Sequence, residues 1–222
     1  VQVGDQLDRG DDEREILDLF EDLQVQAAEA GGAFYPLLGN HEVMNVELDL
    51  RYVTDGGFAD FDDIEYDTSD PAIMSYPEEQ RGRVAAFRPG GEYAVKLSDH
   101  KVILQLEGTI FVHGGVLPEH VDYGIDAIND ETSEWMRAEG PRADPMVTGE
   151  PPIWSRHYSD EPDDDDCALL DEVLTMTRRR PHGRGSHGPG GRDQPGVLGS
   201  GVARGCGDGG LLWWGAGGDG GG

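Results

Sequence analysis

At 222 residues the chain is long enough to bury one sizeable core and too short for two comfortable domains. Acidic residues number 45 against 17 Lys plus Arg, for a formal net charge of -28. Such a balance argues against a nucleic-acid backbone as partner, and most of the charge reads as solvated surface. Cys167 and Cys206 are too few for a disulfide framework, and no stretch reaches the length of a membrane span or shows a signal peptide.

Along the chain, Val1 to Val3 reads as a short strand leading into Gly4-Asp5-Gln6-Leu7-Asp8-Arg9-Gly10. Ile16, Leu17, Phe20, Leu23 and Ala27 then recur at helical spacing over 11–30, with acids in the first turn and Gly31-Gly32 as a stop. Ala33 to Leu38 is a second apolar strand, followed by Gly39-Asn40-His41-Glu42. Both motifs thus sit just past the carboxyl end of a strand, where open α/β sheets collect ligands. Asp5 can bridge two cations, Asn40 offers a neutral carbonyl oxygen, and a histidine can ligate or donate a proton.

From Val46 to Arg88 the periodicity weakens among acids and prolines, predicting short helices and loops that cap the site. Strands are predicted over Tyr93 to Leu97, Val102 to Leu106 and Thr109 to Val112, the last ending at His113. A helix follows over Asp126 to Ala138, then Pro151-Pro152-Ile153-Trp154-Ser155-Arg156. Asp163 to Asp166 reads as a solvated loop before a helix over Cys167 to Met176.

Gly-Asp-x-x-Asp-Arg-Gly paired with Gly-Asn-His-Glu resembles the calcineurin-like metallophosphoesterases, in particular their phosphoprotein phosphatase branch. With Val43-Met44-Asn45 and Phe111-Val112-His113-Gly114-Gly115-Val116-Leu117-Pro118, the chain is most similar to the Shewanella-like protein phosphatases over residues 1–177. The resemblance implies an α/β fold, a layered α/β/β/α sandwich here in partial form. It also implies two divalent metal ions, Mn, Fe or Zn, and a phosphorylated protein or peptide as substrate. Asp5, Asn40 and His113 are then metal ligands, His41 the proton donor with Asp8 behind it, and Arg9 and Arg156 the phosphate-binding arginines. Glu42 is expected to support the loop. The bland alternative for Arg156 is a surface ion pair with Asp160 or Glu161.

The same resemblance calls for an Asp-x-His motif upstream of Val1 and a Val-Gly-His-Thr segment after Thr177, neither of which the sequence contains. It therefore implies an incomplete metal cage and impaired activity. Residues 178–222 hold 18 of the 34 glycines with six arginines and three acids. They read either as a disordered Gly/Arg-rich tail or as an out-of-frame product. Permitted codons for His182 to Pro189, read from the second nucleotide, give Met-Val-Val-Gly-His-Thr-Val, which motivates the expectation of a frameshift near Arg178. His187 is accordingly not assigned as a ligand. The expected function is phosphoprotein phosphatase. A dinucleoside polyphosphate hydrolase of the same superfamily and a non-catalytic phosphate-binding remnant stand as alternatives. Neither nucleic acid nor membrane is expected as a partner, and a cytoplasmic location is favoured, with room for a targeting segment before Val1.

Overall fold

The computed structural model describes residues 1–106, 108–179, 202–204 and 211–213. Helix α1 (Glu13–Glu29) keeps Leu17 buried beneath an acidic outer face, and ends at Ala30 before Gly31, whose φ of +79° a side chain would resist. Before and after it, the two predicted strands are extended segments joined by isolated parallel bridges, Gln2 to Pro36 and Leu37 to Lys101. A regular ladder is interrupted because Pro36 has no N–H to give. The pairing still places residues 1–3, 35–38 and 101 side by side, with Leu37 N–H on the Gln2 carbonyl and Leu38 N–H on the Lys101 carbonyl, both at 2.9 Å.

Helix α2 (Asn40–Val46) starts at once after the second motif and is buried along its whole length. The capping region holds short helices: α3 (Asp55–Ala59), α4 (Pro71–Met74) and α5 (Arg81–Phe87). Tyr93 to Leu97, expected as a strand, is instead helix α6 (Glu92–Leu97). Its alternation of Tyr93, Val95 and Leu97 misled, because the residues that end up buried are Tyr93, Ala94 and Leu97, a helical spacing. The Tyr93 ring packs edge-on to Phe61 at 4.9 Å, and the same cluster takes in Phe87. Tertiary packing thus selects the helix over local β preference.

Strands β1 (Ile103–Leu106) and β2 (Thr109–Val112) form an antiparallel hairpin. Two short strands of the Gly-rich tail join it: β3 (Val202–Arg204) pairs with β4 (Leu211–Trp213), and β4 runs parallel to β2. The sheet order is β1-β2-β4-β3. Of the tail expected to be disordered, the described residues are Arg178 and Arg179 at the end of the last helix and these six, in which β4 pairs with β2 and β3 with β4. The rest of that expectation, His187 included, lies outside the described residues.

Helix α7 (Pro118–Tyr123) packs beside α8 (Ile125–Met136), which lies against β1. Asn129 of α8 accepts the Val102 and Ile103 amides at 2.9 and 3.1 Å and returns its own amide to the Ile103 carbonyl. Helix α9 (Asp164–Arg179) begins earlier than predicted. Asp163 caps it by accepting the amides of Asp165 and Asp166, so Asp164 to Asp166 are its first turn and not a loop. Carboxylates are favoured at that end by the helix dipole. The main core is built on Leu38, Phe61, Phe87, Ile103, Ile110 and Ile128, and a second, smaller cluster joins Val3, Leu37 and Phe111. No helix of the described residues is long and apolar enough to cross a membrane.

Candidate active site

The loop after the first extended segment is held in a conformation that side chains resist. Gly4 has φ +99°, and Asp5, Asp8 and Arg9 have φ of 60°, 70° and 58°. Non-glycine residues in that region cost of order 1 kcal/mol each and persist only where surroundings enforce them. Glu13 accepts the Asp8 N–H and the Tyr52 carbonyl that of Arg9, while Asp5 is held by Glu42, fully buried at the start of α2. Its carboxylate accepts the backbone N–H of Asp5 (2.9 Å), Gln6 (2.7 Å), Leu7 (3.1 Å) and Gly39 (2.6 Å). Burial first, and then the nearby Asp5 charge, push that carboxyl up, to about 7, while the amide donors pull the other way.

Close approach explains the glycines of both motifs. A Cβ on Gly4 would stand 2.5 Å from the Gly39 nitrogen and 2.9 Å from His113 Nδ1, and one on Gly39 would stand 2.4 Å from an Asp5 carboxylate oxygen. The two loops therefore touch backbone to backbone, which carries Asp5 to the N-terminus of α2.

His41, the second residue of α2, places Nδ1 2.6 Å from Asp8 Oδ2, and the Asp8 side chain has no exposed surface. Burial would lower the imidazole, but the Asp8 hydrogen bond and the charges of Asp5, Asp8 and Glu42 outweigh it, and its proton affinity is raised. Asp8 Oδ1 is turned away from His41, toward Asn45 Nδ2 at 3.0 Å and Arg83 Nη2 at 3.4 Å.

His113 directly follows β2 and is buried. Its Nδ1 lies 2.8 Å from the Val3 carbonyl, which can only accept, so Nδ1 carries the proton and Nε2 presents its lone pair. Facing that lone pair are Asn40 Oδ1 at 2.9 Å and Asp5 Oδ1 at 3.4 Å. Burial lowers the histidine's proton affinity further, against the pull of Asp5, so a second proton on the ring is disfavoured. Three electron-rich atoms thus converge with no proton between them, an arrangement that a cation would relieve. The donor set fits a divalent metal. Among the described residues no group of three or more His, Cys, Asp and Glu side chains is gathered for one, and the third donor here is an amide.

The predicted arginines lie to either side. Arg9 donates its backbone N–H to the Tyr52 carbonyl, and its guanidinium stands 4.8 Å from the Tyr52 ring, which in turn meets His41 edge-on at 5.2 Å. The Trp154-Ser155-Arg156 segment packs on the turn after His113, where Gly114 and Gly115 donate to the Pro152 carbonyl at 3.1 and 2.9 Å. Arg156 is close enough for its charge to lower His113. Among the described residues its guanidinium forms no ion pair with Asp160 or Glu161; only its carbonyl meets Asp160, through the backbone.

Sequence reasoning thus named seven residues that the fold gathers into one region. It passed over Arg83, Glu13, Tyr52 and the role of Asn45. Arg83 lies in no motif, and an arginine inside the weakly periodic capping region carries no mark of complete burial.

The calcineurin-like phosphoesterase family model matches residues 1–188. Shewanella-like protein phosphatase 2 of Arabidopsis thaliana is 36% identical over 206 residues, covering 79% of this chain and 53% of its own. An uncharacterized protein of Schizosaccharomyces pombe is 35% identical over 140 residues, covering 61% of this chain and 37% of its own. Among solved structures, a cold-active protein tyrosine phosphatase superimposes with a TM-score of 0.57 at 24% identity, over 79% of this chain and 49% of that one. That of a psychrophilic Shewanella species gives 0.54 at 23%, over 79% and 50%. At such identity the superpositions establish the fold. The chain spans about half the length of the Arabidopsis relative and less of the yeast one.

Proposed function

Because the chain belongs to the calcineurin-like phosphoesterase family, we propose that it is a metal-dependent phosphoprotein phosphatase hydrolysing phosphomonoesters. The observation that carries this reading is the convergence of Asp5 Oδ1, Asn40 Oδ1 and His113 Nε2 beside the His41–Asp8 pair. A phosphorylated protein or peptide as substrate is favoured by the names of its relatives, which are a protein phosphatase and a protein tyrosine phosphatase.

Asp5, Asn40 and His113 would hold the divalent ions, with manganese, iron and zinc all suited to mixed oxygen and nitrogen donors. When bound, such ions polarise a phosphoryl oxygen and acidify a water at neutral pH. The chain's own groups do the rest. Arg9 and Arg156 bind phosphoryl oxygens, a task suited to the guanidinium fork. His41 keeps its Nδ1 proton on Asp8 and delivers a proton from Nε2 to the departing oxygen, and the ionised Asp8 favours that charged imidazole. Among the described residues three donors make a sparse cage for two ions, and weak metal retention with low turnover is the outcome this reading expects.

The test is to load the purified chain with manganese and measure bound metal together with hydrolysis of an aryl phosphate, a phosphopeptide and diadenosine tetraphosphate. Faster release from the phosphopeptide than from the dinucleotide supports the reading. The reverse order assigns a dinucleoside polyphosphate hydrolase, and phosphate binding without turnover assigns a remnant. A chain that holds neither metal nor phosphate would overturn the proposal.

A further inference from the structure

We infer that Arg83, on α5, is a positioning residue of this site, acting through Asn45 and Asp8 to fix the orientation of His41. The inference rests on the reading of His41 as the proton donor. The hydrogen bonds of Arg83 go to Asn45, Gly57, Glu13 and Asp8, none of them a metal-ligand candidate.

The guanidinium is completely buried between the rings of Phe61 and Phe87, 5.1 and 4.9 Å from their centres. Its donors are all directed. Nε gives to Asn45 Oδ1 at 2.9 Å, and Nη1 to the Gly57 carbonyl at 2.8 Å and to Glu13 Oε2. Nη2 gives to Glu13 Oε1 at 3.1 Å and to Asp8 Oδ1 at 3.4 Å. A charge in such a place persists only when paired and hydrogen-bonded. Glu13 balances the charge and takes two of the five donors, and the remaining three go to Gly57, Asn45 and Asp8, so the buried fork fixes the groups it meets.

The effect on Asn45 and Asp8 follows from what each group can offer. An arginine only donates, so Asn45 must turn its oxygen toward Arg83 and its NH2 the other way. The amide then gives to Asp8 Oδ1 at 3.0 Å and to the His41 carbonyl at 2.9 Å. Were Asn45 to flip, its oxygen would face the Asp8 carboxylate. With Oδ1 engaged by Asn45 and Arg83, Asp8 has Oδ2 left for His41 Nδ1. Glu13 adds a second hold by accepting the Asp8 backbone N–H, at a residue whose φ is +70°. A lysine cannot replace this fork, because one ammonium cannot reach Asn45, Gly57, Glu13 and Asp8 together.

The experiment observes the His41 Nδ1 proton by NMR in the full chain with 15N-labelled histidine, in the wild type and in the variants Arg83→Lys and Asn45→Ala. Asn45→Ala leaves the Arg83–Glu13 pair in place, so one informative variant remains even if Arg83→Lys does not fold. Thermal unfolding is followed alongside. The expected result is at least a roughly tenfold loss of protection from solvent exchange in each variant that folds, as for removal of an outer-shell partner. A folded Asn45→Ala or Arg83→Lys whose His41 proton keeps its shift and exchange rate overturns the inference. In the manganese-loaded chain, kcat should fall about tenfold or more for a phosphoester with a poor leaving group and far less for a good one, with KM unchanged. A purely structural role would slow both alike. A wild type that turns over no phosphoester counts against the proposed function, while the NMR arm still decides the role of Arg83.

Discussion

His113 Nδ1 lies 2.8 Å from the carbonyl of Val3, so that the end of one extended segment orients the imidazole at the end of another. The bond fixes which ring nitrogen faces Asn40 and Asp5. Replacing His113 with Gln removes a nitrogen donor of the proposed cage while leaving a side chain able to meet Val3. Manganese affinity, measured by calorimetry, should fall by about tenfold to a hundredfold, and His113→Gln should remain folded by circular dichroism. Unaltered affinity would move the metal away from these three residues.

Glu42 binds four backbone amides with no exposed surface. In Glu42→Gln one oxygen becomes an NH2 that must face amide donors, leaving two or more of them unpaired. We expect a loss of about 2–4 kcal/mol in urea unfolding. The strained turn at Asp5 should loosen with it, so metal affinity should drop in the same variant even below the midpoint.

Asp8→Asn keeps the size of the side chain and removes the charge behind His41. Its amide can present NH2 to His41 Nδ1, which then must accept, so the proton shifts to Nε2 without a carboxylate to stabilise the imidazolium. The kcat of the metal-loaded chain on a phosphopeptide should fall about 100-fold or more with KM little changed. A rise in KM alone would assign Asp8 to substrate binding.

The parts of the site legible in the sequence are those whose chemistry is local. Gly4 and Gly39 mark the contact of two loops, and the motifs flanking them carry Asp5, Asp8, Asn40 and His41 within a few residues of a predicted strand end. Helices α1 and α8 announced themselves through apolar periodicity. Helix α6 did not, because six residues satisfy a strand and a helix pattern equally until Phe61 and Phe87 select the buried face. Arg83 was hidden for a related reason. Its importance comes from partners 26 to 75 residues away, Gly57, Asn45, Glu13 and Asp8, and no local spacing encodes such contacts.

Gly114 joins the His113 turn to the Arg156 segment, and a Cβ there would stand 2.5 Å from the Pro152 carbonyl and 2.8 Å from that of Ser155. Both are backbone atoms, so the segment itself must move. Gly114→Ala should therefore displace Arg156 and raise KM for a phosphopeptide several-fold, with a smaller effect on kcat. An Arg156→Ala variant should show the same pattern, and the two changes together should cost little more than either alone. Full additivity would mean that Gly114 acts elsewhere.

Outside the site, two histidines make stability depend on pH with opposite sign. Burial lowers His100 to about 4, with Asp99 opposing, and its Nδ1 has no hydrogen-bond partner. Between that value and the ordinary ~6.5 the unfolded chain binds more protons than the folded one, so stability falls as pH drops through this window. His157 is the reverse: its bond to Asp166 at 2.6 Å is the chief cause of a raised proton affinity, which Glu150 at 3.1 Å reinforces. Its contribution is complete below the ordinary histidine range and is lost as pH rises through the raised value. Because His157 is about a third exposed, that contribution is small. In urea midpoints measured from pH 8 to pH 4, His100 therefore adds a decline on the acid side, against the opposite contribution of buried Glu42. In His100→Phe the decline should shrink by on the order of 2 kcal/mol, discounted for partial exposure of the ring. An acid limb identical in the wild type and His100→Phe would show that other groups carry it.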